Sequence, residues 1–242
     1  MEFFKILLDD LTDIICPGAC LVCGCHLKAD NKELICPACM QNYAETPFLK
    51  KDEEENENVI TESFKAAGID IVYGCTFLKF DKKGTVQRII HGIKYFHRPE
   101  LGVKFGRIAA LRLQKFGRFS DVNYILPVPM HPKKLKIRGY NQAEKIAEGL
   151  ASVLNIPIRT DILQKTVYTE TQTHKNKAQR LANSLNVYKA SKEKAEEGEK
   201  GKKHFLLVDD VYTTGATLES CSRELKRVMP ECEISVFALA KA

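Results

Sequence analysis

Four apolar residues, Phe205-Leu206-Leu207-Val208, run directly into two adjacent acids, Asp209 and Asp210. A loop with hydroxyls and a glycine follows, Thr213-Thr214-Gly215-Ala216-Thr217, and then a helical pattern to Val228. This order predicts strand, loop and helix, with the polar groups at the strand's carboxyl end. In open α/β sheets ligands bind at that end. The loop offers backbone N–H groups, three hydroxyls and a helix N-terminus. The first N–H groups there lack intrahelical partners, and the helix dipole favours an anion such as phosphate. Gly215 lacks the Cβ that would keep a phosphate away from the backbone. Asp209 and Asp210 would repel phosphate; they suit sugar hydroxyls, or a hydrated Mg²⁺ one step further out.

A second constellation lies near the amino end. Cys20-Leu-Val-Cys23 is separated by twelve residues from Cys36-Pro-Ala-Cys39. Two Cys-x-x-Cys turns at this distance can bring four thiolates to one tetrahedral Zn²⁺. Four protein ligands leave no open position, so the expected zinc is structural, and so small a segment needs it to fold. Cys16 and Cys25 are extra thiols that could substitute as ligands. Six of the nine cysteines fall between Cys16 and Cys39, a pattern that suits metal better than disulfides.

The remaining chain reads as an α/β unit. Residues 2–15 carry an apolar helical face, and residues 50–58 form a polar, acid-rich linker. Ile69 to Phe80 alternates like a strand, and Gly84 to Phe96 and Leu101 to Phe116 read as amphipathic helices. Tyr124 to Pro129 is a buried strand leading into His131, Lys133, Lys134, Lys136 and Arg138, read as a basic loop. Arg138-Gly-Tyr-Asn141-Gln142 then opens a helix to about Leu154. A planar guanidinium beside a glycine suits bidentate phosphate contact. Thr166 to Ala190 holds Gln172, Arg180 and Asn183 on a connection that fits a hood over a ligand. Ser191 to Lys203 reads as a charged excursion without an apolar face, and Glu233 to Ala240 as a final strand. The 242 residues divide into a helix and double knuckle (1–49), the linker (50–58) and a main domain (59–242). The net charge of +6 is compatible with an anionic ligand. No apolar run approaches the ~20 residues that span a bilayer, and the start lacks a signal-peptide pattern, so a cytoplasmic protein is expected.

The segment Val208 to Thr217 closely resembles the PRPP-binding motif of type I phosphoribosyltransferases (PRPP is 5-phosphoribosyl 1-diphosphate). In that family the acid pair binds the ribose hydroxyls and the loop cradles the 5-phosphate. Nearly the whole chain is similar to the competence protein F (ComF) family. The likeness rests on the double knuckle, Ile93-Lys94-Tyr95, Pro127-Val-Pro129 with Arg138-Gly-Tyr-Asn141-Gln142, and Val208 to Thr217, with Gln172, Arg180 and Asn183 at matching places. Cys16, Cys25 and the charged stretch 191–203 depart from the pattern. The resemblance implies a type I phosphoribosyltransferase fold, a parallel sheet flanked by helices, behind a small zinc module. It also implies a role near DNA uptake, with a competence helicase as partner.

Two functions follow. The first is an enzyme in which Mg²⁺-bound PRPP sits on Thr213, Thr214, Gly215, Ala216 and Thr217. Asp209 and Asp210 hold the ribose, and Arg138 and Lys94 neutralise the leaving diphosphate beside Asn141 and Gln142. The second is a non-catalytic PRPP sensor or scaffold whose knuckles contact a helicase or single-stranded DNA. Residues 16–42 carry only Lys28, Lys32 and one His, a weak footprint for nucleic acid.

Overall fold

The apolar run at 205–208 becomes the middle of a parallel sheet. Strand β5 (His204–Tyr212) lies between β2 (Tyr124–Pro127) and β6 (Glu233–Lys241), and β1 (Tyr73–Lys79) completes the order β1-β6-β5-β2, every pair parallel. Phe205, Leu206, Leu207 and Val208 are fully buried, as a strand covered on both faces requires. The computed structural model describes residues 18–27, 33–46, 54–81 (backbone alone for 54–58), 84–115, 117, 119–167, 187–197 and 201–242. The expected helix at 2–15, Cys16, and Gln172, Arg180 and Asn183 lie outside the described residues.

After the short α1 (Pro37–Gln41) of the cysteine segment, helices cover the sheet: α2 (Glu54–Ala66) packs on β1, α6 (Gln142–Leu154) on β2 and β5, and α8 (Ala216–Val228) on β5. Helix α3 (Thr85–Tyr95) buries Val86, Ile89, Ile90 and Ile93, the apolar stripe the sequence predicts. Helix α4 (Pro99–Lys115) crosses α6 at glycines. A Cβ on Gly149 would lie 2.2 Å from the Val103 carbonyl oxygen and 2.9 Å from the Gly106 Cα. The two backbones touch where neither chain carries a side chain.

Four expectations need correction. The strand expected from Ile69 starts only at Tyr73, because α2 runs to Ala66 and Gly68 turns the chain at φ 74°. The same helix begins at Glu54, so the second half of the expected linker is helical. The basic stretch after Pro129 is not a loop but helix α5 (Pro132–Arg138). His131 caps it, Pro132 opens it, and Gly139 closes it at φ 85°. The stretch 191–203 also contains order. Ser191 caps the short helix α7 (Lys192–Glu196), Ala195 is buried, and the buried Lys203 ammonium donates to the Ala195 and Glu197 carbonyls at 2.8 and 2.6 Å. An antiparallel pair, β3 (Leu163–Lys165) with β4 (Tyr188–Ala190), stands apart from the main sheet, and β4 packs on α8.

The cysteine segment is packed on this domain. Its Thr46 N–H donates to the Phe77 carbonyl at 2.8 Å, and Lys79 N–H donates to the Ala44 carbonyl at 2.9 Å, so it lines the β1 edge. Tyr43 meets Phe105 edge-on at 5.6 Å. Glu45 pairs with Arg112 at 3.4 Å, and Glu33 pairs with Lys104.

The glycine crossing gives the first test. Gly149→Val forces α4 and α6 apart, and overpacking of this kind costs about 3 kcal/mol. Urea denaturation should show a lower midpoint at unchanged slope; an unchanged midpoint contradicts the close crossing.

Candidate functional site

The carboxyl end of β5 delivers both acids to one cavity of about 340 Å³. Around it stand the end of α3, the arm from Val128 to Arg138, the start of α6, the β3–β4 pair and the loop after β5. Lys94, in the last turn of α3, reaches Asp210 at 2.9 Å. Asp209 accepts the Asp210 N–H at 2.8 Å. Burial, then the neighbouring charge of Asp210, pushes the Asp209 carboxyl up to about 7.

The loop beyond forms a smaller pocket lined by Thr213, Thr214, Gly215, Ala216 and Thr217. Gly215 is the N-cap residue of α8 at φ 80°, and no side chain caps the helix. The leading N–H groups of α8 therefore lack a side-chain cap, which is what an anion site needs. A Cβ on Gly215 would also meet the Tyr212 hydroxyl at 2.8 Å, so glycine is required by space as well as by φ.

Cations face the acids from two directions. The Arg138 guanidinium lies 5.5 Å from the centre of the Tyr95 ring. Burial, then the charges of Arg138, Lys165 and Lys94, lowers Lys134 below the ordinary lysine range. From the other side, Lys165 of β3 lies 5.2 Å from the Tyr188 ring centre, and burial lowers its ammonium too. Four cationic side chains thus share a cavity with two carboxylates. That surplus, in a poorly solvated space, favours a polyanion.

Asn141 and Gln142 line the same cavity but differ in role. Asn141 caps α6, accepting the Ala143 N–H at 3.1 Å and donating to the Val128 carbonyl at 2.9 Å. It fastens the Pro-Val-Pro arm to the helix rather than facing the cavity with a free amide. Gln142 is 2 % exposed, and its Nε2 has no hydrogen-bond partner among the described residues. A buried, unmet donor at a cavity wall is suited to a ligand oxygen.

The sequence reading missed Lys134 and Lys165 as wall cations and Tyr188 as the hydroxyl tied to Thr217. The signal for Lys165 was its place one residue before the expected hood. Its burial goes with a β3–β4 pairing between residues more than twenty positions apart, which no local pattern announces.

The cysteine cluster fits a structural zinc. The Sγ atoms of Cys20, Cys23, Cys36 and Cys39 all lie within 4.8 Å of one another. Cys23 and Cys36 are 3.7 Å apart, close to the ~3.8 Å edge of a tetrahedron with Zn–S near 2.3 Å. Cys20 Sγ accepts the Cys36 N–H at 3.3 Å, and Cys36 Sγ accepts the Cys39 N–H at 3.4 Å. Against the cost of burial, backbone N–H donors from Cys36, Cys23 and Val22 hold the Cys20 thiol down at about 6. Cys25 stands beside the cluster, and hydrogen bonds to Cys23 and Cys36 push its thiol up to about 12.

Parts of the chain are similar to known proteins. The family profile described as phosphoribosyl transferase domain matches residues 140–242, from the α6 cap to the end of the chain. Competence protein F of Haemophilus influenzae is 36% identical over 118 residues, covering 49% of this chain and 50% of that protein. Competence protein ComFC of Bacillus subtilis is 29% identical over 125 residues, 51% and 47% of the two chains. The chain is thus similar to competence protein F over about half its length, and its last 103 residues (140–242) match the phosphoribosyl transferase domain. Its fold is the type I phosphoribosyltransferase fold, a parallel sheet flanked by helices. DNA utilization protein YhgH of Escherichia coli K12 is a further relative, 26% identical over 142 residues, 57% of this chain and 60% of that one. The chain spans about half the length of the curated relatives it matches. Among the described residues no helix is long and apolar enough to cross a membrane.

Two tests follow from the geometry. Asp209 has a native pKa raised above its unfolded value near 3.9. Above about 7 the folded protein carries a buried charge that the unfolded chain solvates, and this cost fades as pH falls from 7 toward 4. Asp209→Asn keeps the acceptor for the Asp210 N–H and removes the charge. Its Tm should exceed the parent's at pH 8, with the gap narrowing by pH 5; equal Tm values at pH 8 would show that Asp209 is not strained. For the cluster, metal analysis should find one zinc per chain. Cys25→Ser should keep it, while Cys36→Ser should lose it and lower Tm. Zinc lost with Cys25 would put that thiol among the ligands.

Proposed function

We propose that the protein binds Mg²⁺-PRPP in the β5 cavity and transfers its phosphoribosyl group to a nucleophile, in a role linked to DNA uptake. The observation that carries this reading is the acid pair and the uncapped α8 start opening onto one cation-rich cavity. The 5-phosphate takes the N–H groups of the loop, and Asp209 and Asp210 take the ribose hydroxyls. Lys94, Lys134 and Arg138 line the part of the cavity that suits the diphosphate. Asp210, through the carboxylate oxygen not engaged by Lys94, would hold a hydrated Mg²⁺, which would supply neutralising charge to the leaving group.

In the reaction the acceptor's lone pair forms a bond to ribose C1 as the C1–O bond to diphosphate breaks, and diphosphate leaves with that electron pair. The acceptor then releases a proton if it carries one. The side chains contribute position and charge. The carboxylates stabilise positive character that develops on the sugar ring, and the cations stabilise the departing anion. No side chain becomes covalently attached. The names of the relatives, competence protein F, competence protein ComFC and DNA utilization protein, support the link to DNA uptake.

A specific observation favours a second reading, a binding module for single-stranded DNA. Tyr95, which lines the cavity, is 60% exposed with the Arg138 guanidinium 5.5 Å from its ring centre, and the next residue, Phe96, is 57% exposed two positions before Arg98. Exposed rings among cations suit base stacking and phosphate contact. This segment, rather than the cysteine knuckles, is the better nucleic-acid surface.

Calorimetric titration separates the readings. Zinc-loaded protein should bind PRPP in the micromolar range with Mg²⁺ and more weakly without it. Asp209→Asn with Asp210→Asn should lose at least about tenfold in affinity. Wild-type affinity in the double variant would refute the site. Absence of PRPP binding together with salt-dependent binding of an oligonucleotide would favour the second reading.

A further inference from the structure

The last turn of α3 is gripped from three sides. Lys94 reaches Asp210 at 2.9 Å. The Tyr140 hydroxyl donates to the Ile93 carbonyl, tying the same turn to the segment that follows Arg138. Gly92 faces the cysteine module: a Cβ built there would lie 2.4 Å from Leu21 Cδ2 and 2.8 Å from Leu101 Cδ1. Leu21 therefore occupies the space a side chain at 92 would need. Gly92 and Lys94 are two residues apart on a helix, about 200° around its axis. The leucine presses one side of the turn while the ammonium works on the other.

Leu21 is not a generic core residue. It lies inside the Cys20-x-x-Cys23 turn, so its backbone position follows the metal ligands on either side. Its N–H donates at 2.9 Å to the carbonyl of Leu34, two residues before Cys36. The two halves of the cluster are thus joined at the residue that touches α3. The module is held on the domain along β1 and through α4, so pressure at Gly92 is not relieved by the module swinging away. The cysteine turn carries Leu21, Leu21 fills the space beside Gly92, and Gly92 lies in the turn that presents Lys94.

We propose that Leu21 is a positioning residue for Lys94, so that the zinc module is a working part of the ligand site rather than an independent appendage. The proposal rests on the PRPP reading for its effect on affinity, but its structural core stands apart from that reading. A leucine that only packed would affect stability and leave the cavity unchanged. A leucine that positions Lys94 must lose its influence once Lys94 is gone.

The experiment uses the full zinc-loaded chain with Leu21→Ala, Lys94→Ala and the double variant, each checked for one zinc. Leu21→Ala should weaken Mg²⁺-PRPP binding by about tenfold, and in the Lys94→Ala background it should change affinity by less than about twofold. Leu21→Met, which conserves volume, should restore affinity to within about threefold of the parent. Fully additive losses, or unchanged affinity with only a lower Tm, overturn the proposal. If Leu21→Ala fails to hold zinc, Gly92→Ala makes the same test from the helix side. Hydrogen exchange supplies a readout that needs no ligand. Amides 92–96 should exchange faster in Leu21→Ala and after zinc chelation, whether or not the parent binds PRPP. Unchanged protection there overturns the coupling, whereas lost protection in a parent that fails to bind PRPP refutes only the functional reading.

Discussion

Two carboxylates side by side at the end of a buried strand repel each other, and the arrangement of this protein follows from that constraint. Asp210 is compensated by Lys94, a cation delivered from another helix. Asp209 is compensated less: burial first, and then the charge of Asp210, raises its pKa. Such strain survives because the rest of the sheet over-determines the strand. Phe205 to Val208 are completely buried, and β6 and β2 hold β5 in register from both sides. Strain kept in place by a packed scaffold is the expected signature of a functional site rather than of a structural ion pair.

The same constraint explains the asymmetry of the cavity wall. Cations come from separate elements, Lys94 from α3, Lys134 and Arg138 from α5, and Lys165 from β3, and they partly repel one another. No single element could place them around the acids. The fold gathers them at the carboxyl edge because strand, loop and helix repeatedly end there. A polyanion bound among them would relieve both repulsions at once.

Much of this was legible from local pattern. The sheet's central strand, the glycine-dependent loop and the paired cysteines each depend on residues close in sequence, and each formed where pattern and chemistry agreed. What was not legible depended on distance along the chain. The basic stretch 132–138 carried helix signals, Pro132 after a capping residue and Gly139 at the end, but its charge disguised it as a loop. Asn141 lines the cavity as expected of a site residue, but its capping role was not legible: its amide bonds Val128, Ala143 and Glu144. Lys203 looked solvated and is buried, because two carbonyls of α7 and the segment after it receive it. The docking of the cysteine module on β1 and Gly92 had no local signal, since it depends on contacts between residues more than twenty positions apart.

The central claim is that a phosphate of the ligand rests on the start of α8. Backbone amide chemical shifts of isotope-labelled protein, followed during titration with PRPP and Mg²⁺, test it at the atoms concerned. The account predicts that the amides of Thr214 to Thr217 move strongly and saturably, while those of Asn123 and Glu233, at the amino edge of the sheet, stay in place. Unmoved loop amides at millimolar ligand would contradict it.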